Sequence, residues 1–569
     1  MRLFPAERFE DFVARGWWSA GDTFDSLLEL HCADRHAALA LVDAPNRESF
    51  TQGRPRRMTW AEVGTAVDGL ATALLRAGIR ADDVVGVQLP NVAELALTYL
   101  ACFRIGAIAS PFPAQYRAHE VVAMGNIGGF SAIVTAARVA GRDNAVALDA
   151  LRADIPTLRA VLAFGAPLPD GVVQLDSALD GPDLPELLAL HRASRVVHPN
   201  DCITLCWTSG TESAPKGVPR AHCDWIAIAD NTAAAPELDE TSVLLCTFPM
   251  VNAGGLGGMF TPWLVTGCRL VMHHPFHLDT FLAQVEAEGV THSVSPPAVL
   301  TSLLQDEQRL AATDLSTLRT IGSGSTTMLP SMIEGWEKRG VEIINFFGSN
   351  EGLSLTGGRE NIPDPALRGF LLPRPGDHGL PTKVRLDHAV SERLVDVETG
   401  EDITEGERPG ELRLKGPWIF AGYWGGVPNP FDEQGYFCTG DVFEYTGDRL
   451  QYVRFLGRSK DLIVRGGFKI SPADIEGIVE HHPKVLEVAA LGAPDDRLGE
   501  RVCIFVVPAP GQSPTLEEIV EFMRAHQVAK FKLPERLELL DAMPRSAIGK
   551  ILKRDLRDRL TAEPADRGG

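Results

Sequence analysis

Three switches of hydrophobic period near the start of the chain set its fold class. Residues 61–77 place apolar side chains at helical spacing and end at Gly78. Residues 83–89 then read as a short buried strand, with the continuous apolar run Val84-Val85-Gly86-Val87 at its centre. Residues 94–103 return to helical spacing, and 107–111 to a strand pattern. A strand that faces solvent on one side alternates apolar with polar residues; a continuous run marks a strand covered on both faces. Buried strands alternating with helices form βαβ units, so the expectation is an α/β fold with parallel sheets between helices. The rhythm returns from Cys202 to about Phe347. Beyond Arg393 it gives way to shorter, glycine-punctuated strands at 410–414 and 450–455, a small β-rich subdomain.

A chain of 569 residues is too long for one hydrophobic core. The clearest boundary is Gly457-Arg458-Ser459-Lys460-Asp461, a polar, glycine-led pentad between two apolar strands. It divides the chain into residues 1–456, a connector at 457–461, and an α+β unit at 462–569. In that last unit Ser471-Pro472-Ala473-Asp474 is a helix start, with Ser as N-cap and Pro in the first turn. Ile475, Ile478 and Val479 make its apolar face, 502–507 reads as a strand, and Leu516, Ile519, Val520 and Met523 mark a second amphipathic helix.

Charge narrows the function classes. Lys+Arg 54 against Asp+Glu 75 gives −21, which argues against a nucleic-acid or anionic-membrane binder. An anionic ligand must therefore be held by local donors. Nine cysteines without a CxxC pair, several in apolar runs (Cys102, Cys202, Cys206, Cys246, Cys503), read as reduced core thiols. The longest apolar run, near 95–111, is broken by Arg104 and too short for a bilayer. With no signal-peptide pattern at the N-terminus, a cytoplasmic protein without a membrane span is expected. His273-His274-Pro275-Phe276-His277 follows a strand, and Pro275 breaks any helical ligand spacing, so it reads as structural. His481-His482 reads as the carbonyl-capping end of a helix.

The strongest chemical signal is Thr208-Ser209-Gly210-Thr211-Glu212-Ser213-Ala214-Pro215-Lys216-Gly217, directly after the apolar run 203–207. Short hydroxyls, backbone N–H groups and one ammonium at a strand end are suited to wrapping phosphates. It is not a Walker A loop, because Pro215 stands where that motif needs glycine. An ordinary polar turn would explain the segment alone.

Here the sequence resembles the adenylate-forming superfamily of acyl- and aryl-CoA synthetases, peptide-synthetase adenylation domains and luciferases, whose phosphate loop reads T-S-G-S/T-T-G-x-P-K-G. Glu212 and Ser213 depart from it. Further segments match in the family's order across residues 55–559. Asn345-Phe346-Phe347-Gly348-Ser349-Asn350-Glu351 resembles the aromatic-Gly-x-Thr-Glu motif. By that likeness Phe347 stacks on adenine, and Glu351, with Thr208, holds Mg²⁺. Asn350 replaces a hydroxyl residue at the α-phosphate. Gly322-Ser323-Gly324-Ser325 lies between adenine and the acid. In Tyr436-Phe437-Cys438-Thr439-Gly440-Asp441 the resemblance gives Asp441 the ribose hydroxyls, with Arg458 as second contact and Lys460 as hinge. Arg465-Gly466-Gly467-Phe468-Lys469-Ile470 resembles the loop lining the pantetheine tunnel. In Pro544-Arg545-Ser546-Ala547-Ile548-Gly549-Lys550, Lys550 is the lysine that a mobile C-terminal domain carries to the substrate carboxylate and ATP. The acid pocket falls on Asn252, Ala253, Gly254, Gly324, Ser325, Gly348 and Ser349, with no arginine or lysine marking a second substrate carboxylate.

The resemblance implies a large N-terminal domain (1–456) for ATP and acid, a hinge (457–461) and a mobile C-terminal domain (462–569), with the active site between them. It implies a ligase that uses ATP, Mg²⁺ and coenzyme A on a medium-chain, alicyclic or aromatic acid. Phe12–Trp18 and the Asn252 region also resemble aryl-acid enzymes that load an acyl carrier protein, the first alternative. A luciferase-like oxygenase and a catalytically silent binding protein are the others. The sequence leaves oligomeric state open and admits a homodimer.

Overall fold

The computed structural model describes residues 1–562 except 209–214, 325–327, 353, 377, 426–428, 460, 466–467, 496, 527 and 546–550. Of Phe468, Lys469, Thr561 and Ala562 it describes only the backbone. The chain divides into two compact units. The first comprises Met1–Arg368, Pro375–Ser391 and Lys415–Gly435; the second comprises Gly369–Arg374, Glu392–Leu414 and Tyr436–Gly569.

Two sheets organise the described residues of the first unit. One runs in the order Lys216–Ala221, Cys202–Thr208, Ile108–Pro111, Val84–Gln88, Phe130–Ala136, Ala160–Phe164, Val173–Gln174. It is parallel except for the hairpin formed by its first two strands. The other runs Ser354–Gly357, Glu342–Gly348, Thr320–Gly324, His292–Val294, Val243–Cys246, Arg269–Met272, Leu39–Val42, Arg57–Thr59. Its interior is parallel and its two edge pairs are antiparallel.

Local sequence explains the elements. The helix Trp60–Arg76 starts at a capping box: the Thr59 hydroxyl accepts the Glu62 N–H, and the Glu62 carboxylate accepts the Thr59 N–H at 2.7 Å. Val84–Gln88 is buried at every residue, as its continuous apolar run predicts. The helix Ala93–Ile105 is likewise buried throughout, although it carries two charges. Each charge has partners. Glu94 takes Arg47 at 2.8 Å and Arg56 at 3.2 Å, and Arg104 takes Asp25 at 2.7 Å and also Asp68. Pairing offsets much of the cost of taking these charges out of water. No helix among the described residues is long and apolar enough to cross a membrane.

The second unit holds an antiparallel sheet in the order Leu371–Pro373, Tyr452–Arg458, Phe437–Thr446, Gly410–Lys415, Ser391–Val395, Asp402–Ile403. Its C-terminal part is a further sheet with the helices Pro472–Val479, Leu516–Ala525 and Lys553–Ala562. Ser471 caps the first helix, accepting the Asp474 N–H at 3.4 Å, and Ile475, Val479, Ile519 and Met523 join one apolar core. His481 Nδ1 donates to Gly477 O at 2.8 Å, the expected cap. In the first unit, His273 donates from Nδ1 to Gln284 Oε1 at 2.7 Å and accepts the His277 N–H at Nε2.

Two buried histidines make the fold sensitive to acid. Burial pushes both His222 and His292 down to about 3. His222 accepts the Phe24 N–H at Nδ1 and is held neutral. Its folded value lies below the unfolded one. Stability is therefore complete above about pH 6.5 and falls with pH below it, by up to about 1.4 kcal/mol per pH unit per ring. Burial acts in the opposite sense on Glu480 and Asp224, raised to about 7 and about 6, so urea titrations between about pH 7.5 and 5 read each ring's share of the pH dependence by comparison with a variant. His222→Asn, which keeps an acceptor for Phe24, should flatten that dependence; an unchanged slope would contradict this account.

Candidate active site

The described ends of the 208–217 motif lie on the antiparallel strand pair at the edge of the first sheet. Thr208 pairs with Lys216 in register, so the chain leaves and re-enters the sheet at one place. Both residues are half-buried. Ser209, Gly210 and Thr211, with the departures Glu212 and Ser213, lie outside the described residues. Next to Thr208, Trp207 donates to Ser110 Oγ at 2.8 Å, and Ser110 donates to Leu205 O at 3.0 Å.

The second sheet supplies the neighbouring segments. Its strand Thr320–Gly324 lies against Glu342–Gly348, and the glycines permit the approach. A Cβ on Gly324 would stand 1.9 Å from Phe346 O, and one on Gly322 would stand 2.3 Å from the Phe346 ring. Phe346 thus packs over Gly322, while Phe347, one residue further along the strand, is half-buried. Ser323 is buried and donates to Ser295 O at 2.8 Å. Asn345 donates to Arg368 O at 2.9 Å. Gly348 is exposed, the Ser349 hydroxyl is buried without a partner among the described residues, and Ser325 lies outside them.

Asn350 ties three segments together. Its Oδ1 accepts the Ala253 N–H at 2.8 Å, and its Nδ2 donates to Trp207 O at 3.1 Å. An amide NH₂ carries two protons, so one remains for a further acceptor. Asn252 turns its Oδ1 onto its own backbone and accepts the Gly254 N–H at 3.1 Å. Asn252, Ala253 and Gly254 lead into a π-helical turn at Leu256–Phe260, and Gly255 there is obligatory because a Cβ would meet Pro249 O at 2.2 Å.

Glu351 is only 9% exposed. Its Oε1 accepts the Tyr423 hydroxyl at 3.0 Å, and its carbonyl accepts the Phe420 N–H at 3.0 Å. Among the described residues it has no ion pair. A nearly buried carboxylate whose described side-chain partner is a neutral phenol is suited to a cation, and hard anionic oxygen is what Mg²⁺ takes. Thr208 offers a hydroxyl of the same kind. Gly352 follows at φ +108, and a Cβ there would stand 1.8 Å from Trp418 O. Lys216 places Nζ 4.9 Å from the centroid of the same Tyr423 ring.

In the second unit, Asp441 and Arg458 face each other across adjacent strands, 3.0 Å from Oδ1 to Nε. Asp441 is buried, whereas the Arg458 side chain is 44% exposed. Thr439 Oγ1 accepts the Asp441 N–H at 3.0 Å and fixes the bend before it. Lys460, Gly466, Gly467 and Lys550 lie outside the described residues. Phe468 and Lys469 lie in the strand Phe468–Ile470, their side chains undescribed. Arg545 and Ile551, on either side of 546–550, pair through an isolated bridge.

Sequence reading missed Tyr423. Gly422-Tyr423-Trp424 follows a strand in irregular chain, and nothing in its spacing points to residues 216 and 351. An aromatic in a glycine-marked loop was the only signal.

The family model for the AMP-binding enzyme matches residues 31–424, and that for the AMP-binding enzyme C-terminal domain matches 474–550. A medium-chain fatty-acid–CoA ligase of Escherichia coli is 29% identical over 531 residues, covering 91% of this chain and 89% of the relative. A 2-hydroxy-7-methoxy-5-methyl-1-naphthoate–CoA ligase of Streptomyces carzinostaticus is 31% identical over 557 residues, covering 96% and 95%. Among solved structures, ATP-bound MatB from Rhodopseudomonas palustris superposes with a TM-score of 0.78 at 25% identity, covering 95% of this chain and 99% of that one. The chain belongs to the AMP-binding enzyme family, adenylate-forming acid–thiol ligases that use ATP, Mg²⁺ and coenzyme A.

Proposed function

We propose that this protein joins a medium-chain, alicyclic or aromatic carboxylic acid to coenzyme A, with ATP cleaved to AMP and pyrophosphate. The observation that carries the reading is Glu351: nearly buried, without an ion pair among the described residues, and sharing Tyr423 with Lys216. Glu351 and Thr208 hold Mg²⁺, which when bound offsets the charge of the phosphate oxygens. Lys216, Asn350 and the loop at 208–211 take the phosphates. Phe347 stacks on adenine beside Gly322, Ser323, Gly324 and the 345–349 segment, and Asp441 and Arg458 take the ribose hydroxyls.

A carboxylate oxygen attacks the α-phosphorus; the new O–P bond forms as the bond to pyrophosphate breaks. Lys550 neutralises charge that builds on the phosphoryl oxygens. The domain beyond the hinge at Lys460 then rotates, withdraws Lys550 and presents Gly466, Gly467, Phe468 and Lys469 along the pantetheine arm. The thiol sulfur attacks the acyl carbon, AMP leaves with the C–O bond electrons, and the thiol proton passes to solvent. Activation is needed because a bare carboxylate is resonance-stabilised and oxide is a poor leaving group, whereas AMP is a good one.

The acid class is supported by the chemistry of residues 249–258, which are apolar or glycine apart from Asn252. Asn252 spends its carbonyl on the Gly254 N–H. Nothing there pairs a second carboxylate, so a monoacid with an apolar body fits. Relatives named as ligases of a medium-chain fatty acid and of a naphthoate bracket that range.

Acid-dependent ATP–pyrophosphate exchange across fatty, alicyclic and aryl acids should find a substrate, and AMP release with that acid should then require CoA. Exchange whose accompanying AMP release does not respond to CoA would favour a carrier protein as acceptor. Lys550→Ala should slow adenylation by roughly 10²–10³-fold or more while sparing thioester formation from supplied acyl-adenylate. Gly467→Val should do the reverse. Equal loss of both half-reactions in either variant would contradict the two-state assignment.

A further inference from the structure

An irregular strap, residues 416–424, runs behind the phosphate and metal residues of the first unit. Five contacts fix its course. Arg8 donates to Ile419 O at 3.0 Å, and Trp18 Nε1 donates to Pro417 O at 3.2 Å. The buried Arg220 donates to Trp418 O at 2.8 Å. The Phe420 N–H reaches Glu351 O at 3.0 Å, and the Trp424 N–H reaches Gly217 O at 2.9 Å. The strap is thus stitched on one side to the segment bearing Glu351 and on the other to the strand bearing Lys216. Between those stitches stands Tyr423. Its hydroxyl meets Glu351 Oε1 at 3.0 Å, and its ring faces Lys216 Nζ at 4.9 Å. Phe420 packs edge-on against that ring at 5.0 Å and 73°, which limits its rotation.

We propose that Tyr423 is a positioning residue that presets both charged groups of the phosphate site, its hydroxyl aiming the Glu351 carboxylate at the divalent cation and its ring holding the Lys216 ammonium ready for the phosphates. The proposal rests on the reading of Glu351 as metal-holding. A phenol O–H to a carboxylate is a charge-assisted hydrogen bond that fixes one oxygen and leaves its partner oxygen for a metal. An ammonium over an aromatic face is attracted without being neutralised, so Lys216 keeps its charge for phosphate. The two functions belong to different parts of one side chain and can be separated.

The test is equilibrium binding. Mn²⁺ binding in the presence of ATP is read by electron paramagnetic resonance, and binding of ATP without metal is read by calorimetry, on wild type, Glu351→Gln, Tyr423→Phe and Tyr423→Leu. Tyr423→Phe should weaken Mn²⁺ binding about ten- to a hundredfold, the loss of one hydrogen bond to a charged group, and leave metal-free ATP binding within about twofold. Tyr423→Leu should weaken both. In turnover, Tyr423→Phe should raise the Mg²⁺ concentration for half-activity more than it lowers kcat at saturating Mg²⁺. If Glu351→Gln weakens Mn²⁺ binding and Tyr423→Phe does not, the positioning role is overturned while the metal assignment stands. If Glu351→Gln also binds Mn²⁺ as wild type does, the metal assignment fails and the proposal with it.

Discussion

A carboxylate almost withdrawn from water, without an ion pair among the described residues, is costly to keep. Glu351 is such a group, and the 416–424 strap is held against it. Its carbonyl anchors the strap, its side chain takes the Tyr423 hydroxyl, and the next residue is a glycine because Trp418 O lies where a Cβ would be. The strap is braced in turn by Arg8 and Trp18 from the N-terminal segment and by Arg220 from the strand bearing Lys216. A net charge of −21 could not draw an anion by its overall field. Holding one ammonium, Lys216, over a neutral ring keeps local positive charge available where phosphate is proposed to bind.

The parallel sheets explain why the motifs, far apart in sequence, come together. Ligands of open α/β sheets bind outside the carboxyl ends of the strands. Thr208, Gly324 and Gly348 each end a strand of the first unit, and the motif loops begin there. Asn350 then links two of these ends directly, accepting from Ala253 and donating to Trp207 O. A residue read from sequence as a substitute phosphate donor is also a structural tie between the 252–254 segment and the strand ending at Thr208.

Local signals carried a large part of the fold. The helix beginning at Trp60, the buried strand at Val84–Gln88 and the Ser471 cap were legible because each depends on neighbours within a turn or a pleat. The charges of Ala93–Ile105 were less so. Glu94 and Arg104 speak against a membrane span, but their partners Arg47, Asp25 and Asp68 come from distant segments. The site divided in the same way. Glu351, Asp441 and Lys216 stand in contiguous motifs and could be named. Tyr423 could not, since its role is defined by two residues some distance away in the chain. Nor could sequence show that Asn252 caps its own turn, because that depends on side-chain direction and not on residue type.

The account stands on formation of an acyl-adenylate, and oxygen tracing tests that most directly. With the accepted acid labelled with ¹⁸O in both carboxylate oxygens, attack on the α-phosphorus moves one labelled oxygen into AMP. Mass spectrometry of the products should therefore find one ¹⁸O in AMP and none in pyrophosphate. Label in a phosphate derived from the terminal phosphoryl group, or unlabelled AMP during full turnover, would contradict the proposed reaction.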